Sequence, residues 1–476
     1  MGASAVLLQP FGYNQGSHLA LVHALADGTP RIDAYRDYSG DVSYHAGHVY
    51  SNKAPGLAFA TLPAYLALRA AHLPHGVHVL SLWGVLLPAA ILLLLVAATV
   101  ERIEPGLGTL TAATLGLATL VLPFTSLFFA HVLSALLGFA AFAVLWRERD
   151  GPPRLALLAA AGLLAGLAVT TEYPLALAGA VLGLYAIARP QPLRRGLVYA
   201  AGVAAGVAPL LAYDWWAFGS PTHVSYGDAA GAHAAHPPAF FGVTAPRPRV
   251  ALELLLSSRG LLVLGPVIAL GAAGAVLLYR RGRRAEALVV GAVAVAFVLY
   301  DSGFWGPFGG WGPGPRYLIP MLPFLAVPLA LAWRRWPLTT GALAAVSAGI
   351  MLAATATDPL LPDGADPARW WHLLVHGDFT RTIALGIAPF VLLVAAAVVL
   401  VARATPRLSP GRHDLAGAVA ALVGWLVTLR GGPALLRHGD LGAVGALLLA
   451  LLVVAAVAAV LVYVPVPRAR TSDVHP

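Results

Sequence analysis

The chain contains no cysteine. That absence excludes a disulfide framework, a thiolate metal site and a cysteine nucleophile, and it leaves the redox state of the compartment unassigned. Charge is scarce as well: of 476 residues, 11% are charged and 59% hydrophobic, with a mean hydropathy of +0.78. A soluble domain carries about 25% charged residues, so a soluble globular protein is excluded, together with disorder, collagen and coiled coil. Lysine and asparagine are almost missing. Lys53 is the single lysine, and Asn14 and Asn52 are the only asparagines. Alanine, glycine, proline and arginine are in excess, the pattern of a GC-rich coding sequence. All three scarce residues fall in the polar stretch 11–56, a coincidence of roughly one in a thousand for random placement. A lysine kept where arginine is otherwise used marks a contact that needs a compact point charge; the alternative is chance and a surface lysine.

What fills the chain is apolar sequence. About fourteen hydrophobic segments run between residues 57 and 463, several of them shorter than 20 residues. This predicts an all-α polytopic integral membrane protein with about 12–14 transmembrane segments, set in the plasma membrane. We divide it into an N-terminal partial span and external polar loop (1–56), a transmembrane core (57–335) and C-terminal transmembrane helices (336–476). The net charge of +9 is spread in short arginine clusters between apolar runs and not gathered on one face, which argues for a positive-inside membrane protein and against nucleic-acid binding. The clusters are Arg147, Arg149 and Arg154; Arg189, Arg194 and Arg195; Arg280, Arg281, Arg283 and Arg284; Arg334 and Arg335; Arg403, Arg407 and Arg412; and Arg468 and Arg470. They assign 214–259, 302–316 and 357–381 to the outside. If the polar stretch 11–56 is also outside, segment 57–72, with its interior Pro63, lies re-entrant or along the interface; the alternative is a miscounted pair among the first segments. An outside loop at 11–56 also implies a preceding span, so the chain is expected to begin within a first transmembrane helix, or else to start genuinely outside.

The polar loop reads DGTPRIDAYRDYSGDVSYHAGHVYSNKAPG over residues 27–56. It gathers Asp33, Asp37, Asp41, His45, His48, Tyr50 and Lys53 between apolar segments, where a membrane enzyme would keep a general base and a phosphate contact. The three aspartates are the candidate catalytic residues. The bland alternative is a hydrated loop kept in water by its charges. Asp41, His45 and His48 are weak candidates for a divalent metal, since no fourth ligand accompanies them; no other cofactor is indicated. A second group is FWGPFGGWGPGPRYLIPMLPF at 304–324. Its glycines and prolines break any helix before the next span and place Arg316 at the membrane edge beside Trp305, Trp311 and Tyr317. This suits a lipid phosphate and a sugar face, or an interfacial aromatic belt with a snorkelling arginine. Glu172 and Tyr173 in TTEYP are either functional or a water-exposed turn. Arg259 in SSRGLLVLGP is an anion contact or an end-of-helix anchor. Asp214, His233 and His236 are assigned to the external loop.

With these motifs the chain resembles the GT-C superfamily of polytopic glycosyltransferases, in particular the protein O-mannosyltransferase and aminoarabinose-transferase-like branch (glycosyltransferase family 39-like). The resemblance rests on a polar first external loop ending in G-x-x-Y-x-x-K-x-P, here Gly47, Tyr50, Lys53 and Pro55, on GGWGPGPRYLIPMLPF and on the FGSP that follows a span. It covers residues 14–335. It implies a polyprenyl-phosphate sugar donor, used at the extracytoplasmic side in contact with membrane lipid. Lys53, with Arg259 or Arg316, would hold the donor phosphate, and a first-loop aspartate would be the base. Asn14, His48, Tyr50, Glu172, Tyr173, Trp311 and Tyr317 complete the candidate substrate-binding set. One departure stands out: where the family commonly has an Asp-Glu pair after the first span, this chain has Asn14-Gln15, and an amide cannot take up a proton as a carboxylate can. The runner-up reading is a transporter or flippase of a lipid-linked or anionic substrate, which would place ionisable residues at mid-membrane depth. A third is an assembly protein that uses the polar loop to bind a partner.

Overall fold

A computed structural model describes residues 1–230, 242–362 and 364–438. The apolar segment expected at 440–463, His233, His236, Arg468 and Arg470 lie outside the described residues. The described residues are mainly helical, as hydropathy predicts, with two short two-stranded sheets. Among the described residues, seven helices are long and apolar enough to cross a membrane: Val77–Glu101, His131–Arg149, Pro192–Phe218, Arg284–Gly303, Arg316–Arg335, Pro337–Ala356 and Asp414–Ala434. Pro248–Leu264 and Val267–Arg280 form a further apolar pair bent by 91°. The break falls at Gly265-Pro266, where proline removes a donor and glycine relaxes the turn. Five shorter apolar helices, among them Gly56–Ala70, Leu155–Thr171 and Leu175–Ile187, fill the bundle.

The two ends of the bundle differ in chemistry. At one end the arginine clusters meet the acidic residues of neighbouring connections. Arg195 grips Glu148 through both guanidinium nitrogens at 2.8 and 2.6 Å, Arg102 and Arg283 share Asp150 at 2.7 and 2.5 Å, and Arg281 and Arg334 both reach Glu104. The connections at 101–105, 147–154, 189–195, 280–284 and 334–335, far apart in sequence, are therefore one face, as the arginine spacing predicts. At this end Asp414 also caps Pro337–Ala356, accepting from the amides of Leu338 and Thr339 at 2.8 and 3.0 Å. The opposite end carries the polar loop, Glu172, the 219–230 connection, Asp301 and the glycine-rich 304–316 segment.

Helix Leu155–Thr171 lies backbone to backbone against Pro192–Phe218. A Cβ built on Gly162, Gly166, Gly202 or Gly206 would come within 2.1–2.3 Å of a carbonyl oxygen across the crossing, so only glycine fits. Thr170 Oγ1 donates to Gly206 O at 2.8 Å, pinning the end of the helix just before Glu172. Pro174 then stops the chain from continuing as helix.

Gly56–Ala70 does not cross. Its first residue lies against Thr170 and Thr171 at the polar end, and its last turn sends Arg69 to Asp27 of the polar loop at 2.9 Å. Both helix ends therefore stay on the polar side, with Trp83 Nε1 donating to Ala60 O at 3.0 Å to hold the helix on the next span. Two expected boundaries move. Pro192–Phe218 takes Asp214, assigned from sequence to the external loop, into the helix, and the apolar run at 107–122 is split into Gly108–Leu117 and Val121–Phe124.

Candidate functional site

The polar loop is built on the helix Tyr13–Ala26 and a hairpin of Val42–His45 with His48–Ser51. The segment between them is fixed by Ser39, whose hydroxyl donates to Tyr13 O at 2.6 Å and accepts from the Asp41 amide at 2.8 Å. Gly16 lets this segment sit down on the helix, because a Cβ there would lie 1.9 Å from Tyr38 O. On the hairpin's other strand, Ser51 bonds Ser17 at 2.8 Å and accepts from the Lys53 amide at 3.2 Å. These short polar contacts aim two side chains at each other: Lys53 Nζ stands 2.9 Å from Asp41 Oδ2, with side-chain exposures of 9% and 13%.

Around that pair the bundle delivers further polar groups. His131, at the first turn of His131–Arg149, places Nδ1 2.5 Å from Glu172 Oε1, and Ser134 donates to Glu172 Oε2 at 3.0 Å. The His131 ring is stacked on Phe129 at 5.8 Å and meets the edges of Phe124 and Tyr317 at 5.4 and 5.7 Å. Arg316 is 5% exposed. Its guanidinium lies over the rings of Phe129 and Tyr317 at 5.1 and 5.4 Å, and among the described residues no carboxylate pairs with it. Burying a guanidinium against aromatic faces recovers only part of its hydration, so such a group is poised for an anion. Lys53 feels Asp41, Arg316 and Glu172 electrostatically, and burial lowers its pKa from the ordinary lysine value. His18 faces the same pocket; burial brings its pKa down to about 3, so it is neutral, and its Nδ1 has no partner among the described residues.

Asp301, fully buried at the end of Arg284–Gly303, has neither carboxylate oxygen bonded among the described residues and has Arg316 as a charged neighbour. His18, His131 and Asp301 were not among the sequence candidates. The signal was present: each is an ionisable residue at the margin of an apolar segment, where such residues are costly and tend to be functional.

The structure sorts the sequence candidates. Lys53, Asp41, Glu172, Arg316 and Tyr317 come together. Asp33 instead closes the hairpin, accepting from the Val49 amide at 2.8 Å and lying 3.0 Å from His48 Nδ1. Asp37 projects into solvent, with a side-chain exposure of 98%. The 3₁₀ turn Asp33–Tyr38 carries Asp33 and Asp37 and ends before Gly40, which leaves Asp41 outside it. Asp37 does line an open cavity of about 400 Å³ with Tyr13, Arg36, Ser39 and Tyr44, on the outer side of the segment that carries Asp41. Asn14 has its Oδ1 buried without a partner among the described residues, in the first turn of Tyr13–Ala26. Tyr50 is core, packed on Phe218 at 4.9 Å, and Tyr173 meets the edge of Tyr226 at 5.8 Å.

Arg259 donates to Gly310 O and Gly312 O at 3.1 and 2.7 Å and to Pro362 O at 3.3 Å, and so shapes the glycine-rich segment from beneath. Trp311 is 60% exposed at its tip. The metal candidates are separated: Asp41 turns to Lys53, His48 to Asp33, and His45 to His223 and Asp228. His45 and His48 are paired across the hairpin, but the strand of His45 docks on the 225–230 connection and that of His48 on Ile32 and Asp33, so each histidine is drawn to a different neighbour.

No family model matches the chain, and no curated protein matches it. Among solved structures it is similar to the crystal structure of ArnT from Cupriavidus metallidurans in the apo state, at 18% identity over 96% of this chain and 73% of that chain with a TM-score of 0.44. It is also similar to the same protein bound to undecaprenyl phosphate, at 16% identity over 97% and 75% with a TM-score of 0.46. A third likeness is to the apo oligosaccharyltransferase of Archaeoglobus fulgidus, at 12% identity over 88% and 55% with a TM-score of 0.42.

Proposed function

We propose that the protein is a membrane glycosyltransferase of GT-C type, taking a sugar from a polyprenyl-phosphate donor and passing it to an acceptor hydroxyl on the extracytoplasmic side. The observation that carries this reading is the buried guanidinium of Arg316, without a carboxylate partner among the described residues, beside the buried Lys53–Asp41 pair. The site lies at the end of the bundle opposite the arginine clusters, which the positive-inside rule assigns to the outside.

In this reading the donor phosphate settles between Arg316 and Lys53, and the polyprenyl chain lies along the helices. Arg316 offers a planar fork and Lys53 a compact charge, two complementary contacts to phosphate oxygens. As the phosphate takes the ammonium, Asp41 is released from its ion pair. It then accepts the proton of the acceptor hydroxyl while that oxygen bonds to the anomeric carbon and the carbon–oxygen bond to phosphate breaks. The negative charge gathering on the leaving lipid phosphate meets two fixed cations in a dry site, where they act most strongly. Neutral His18 and the Glu172–His131 pair frame the pocket.

The test is consumption of a panel of polyprenyl-phosphate sugars by membranes carrying the native chain or Lys53→Ala, with released polyprenyl phosphate read by mass spectrometry of the lipid fraction. One donor consumed by the native chain and spared by the variant is the expected result. Vesicle uptake or flipping of a lipid-linked sugar with no consumption of any donor would replace this reading with the transporter.

A further inference from the structure

A second cluster lies on the far side of the hairpin. His45, at the hairpin turn, and His223 and Asp228, in the connection after Pro192–Phe218, converge on one point: His45 Nδ1 and His223 Nε2 approach the same oxygen, Asp228 Oδ2, at 2.8 and 2.6 Å. The three ligand atoms lie within 4.8 Å of one another. We infer that His45, His223 and Asp228 form a binding site for a divalent transition metal of the zinc class, which clamps the hairpin carrying Asp41 and Lys53 to the outer connection.

The donor set is two imidazole nitrogens and one carboxylate oxygen, which suits Zn²⁺ with a fourth position left to water. Tetrahedral zinc with bonds of about 2.0–2.1 Å sets its ligands roughly 3.3 Å apart. Small rotations of the rings and the carboxylate reach that spacing from the distances seen. The backbone beneath is held independently of any ion: Ser43 Oγ donates to Ser225 O at 2.7 Å, and the Ala230 amide donates to Val42 O at 3.0 Å. Phe218 fixes both imidazoles, with ring centroids at 5.4 Å from His45 and 4.7 Å from His223. Side-chain exposures of 30%, 29% and 23% for His45, His223 and Asp228 leave the site open to an ion from solvent. Two histidines turned onto a single carboxylate oxygen are more than a surface needs to bind water. His48 and Asp33, a comparable exposed pair on the opposite edge of the hairpin, lack a third ligand among the described residues. This inference stands apart from the transferase reading, because it concerns binding and rigidity and not the chemistry at Lys53.

The experiment uses the full chain, purified in detergent and stripped with chelator, then titrated with zinc sulfate and analysed for bound metal after dialysis. One zinc per chain and a raised thermal midpoint are expected, with at least tenfold weaker binding in His223→Ala and Asp228→Asn. His48→Ala and a His233→Ala/His236→Ala double variant should bind as the native chain does. Asp228→Asn keeps the shape of the side chain, so a loss of zinc there is not read as misfolding. Cobalt(II) offered to the native chain should give the intense visible absorption of a tetrahedral site. Substoichiometric zinc, a weak octahedral cobalt spectrum, or binding lost with His233 and His236 but kept in Asp228→Asn would each overturn the inference.

Discussion

The ammonium of Lys53 and the carboxylate of Asp41 are 2.9 Å apart, both nearly sealed from solvent, and twelve residues apart across a hairpin. A buried pair of this kind is costly to break and cheap to replace. Removing one partner strands a charge and costs about 3–5 kcal/mol, whereas an apolar pair of similar volume is close to neutral. Lys53→Met is therefore expected to lower the thermal midpoint clearly, and Lys53→Met/Asp41→Leu to recover most of it while remaining inactive. A double-mutant cycle on purified protein in detergent measures this. Simple additivity of the two single variants would show that the residues are not coupled.

Arg316 and Arg259 are both buried arginines of the polar end, yet they predict different phenotypes. Arg316 faces aromatic rings with no carboxylate partner among the described residues, so Arg316→Lys keeps the charge but loses the fork. With a charge-assisted hydrogen bond worth about 1.5–3 kcal/mol, the expected loss in kcat/KM for the donor is roughly tenfold to hundredfold, at nearly native stability. Arg259 is engaged by the carbonyls of Gly310, Gly312 and Pro362. Arg259→Lys should therefore lower the melting temperature before it changes donor affinity. Matching stability losses in the two variants would mean that Arg316 is also architectural.

The lowered pKa of Lys53 gives opposite signs for binding and for stability. Burial is the leading cause, with Asp41 acting against it. In the proposed reaction donor binding uses the ammonium, so it is expected below the folded-state pKa and lost as pH rises through it, earlier than for a solvent lysine. Stability moves the other way. Between the folded pKa and the unfolded value of 10.5, the unfolded chain holds more protons, and stability from this group increases with pH. Donor affinity measured from about pH 7.5 to 10.5 should fall in the native chain and stay flatter in Lys53→Arg, whose charge persists. Parallel alkaline limbs in the two proteins would remove Lys53 from the binding step.

Much of this was legible in the sequence, and the losses have physical reasons. Hydropathy and arginine spacing give the helical bundle and its charged end, because burial and the positive-inside bias act locally along the chain. The rarity of lysine singles out Lys53, and the glycine–proline run singles out Arg316. The choice among Asp33, Asp37 and Asp41 was not readable, since it depends on where a 3₁₀ turn stops and on Ser39 gripping Tyr13 O. His131 and Asp301 are brought to the site by helices whose packing no local pattern encodes. The pairing of His45 with His223 and Asp228 spans 183 residues, and only the docking of the hairpin on the outer connection creates it.

The glycine crossing sets Glu172 in place, and its energetics can be tested without touching the site. Gly206→Ala would set a Cβ 2.3 Å from Leu163 O, and the two helices would have to separate. Overpacking typically costs about 1–3 kcal/mol, and here the displaced helix end also carries Thr170, whose bond to Gly206 O anchors the turn before Glu172. Gly179, on the neighbouring helix Leu175–Ile187, has only the Ala165 Cβ at 3.8 Å from an added methyl, an ordinary contact. Gly179→Ala should be neutral or gain up to about 1 kcal/mol from helix propensity. Thermal midpoints in detergent are expected to fall for Gly206→Ala and hold or rise for Gly179→Ala. Donor consumption should drop in the first variant alone, because the glutamate beside His131 moves with its helix. Equal midpoints would mean that the crossing tolerates a wider spacing, and Glu172 would then owe its position to His131 and Ser134 instead.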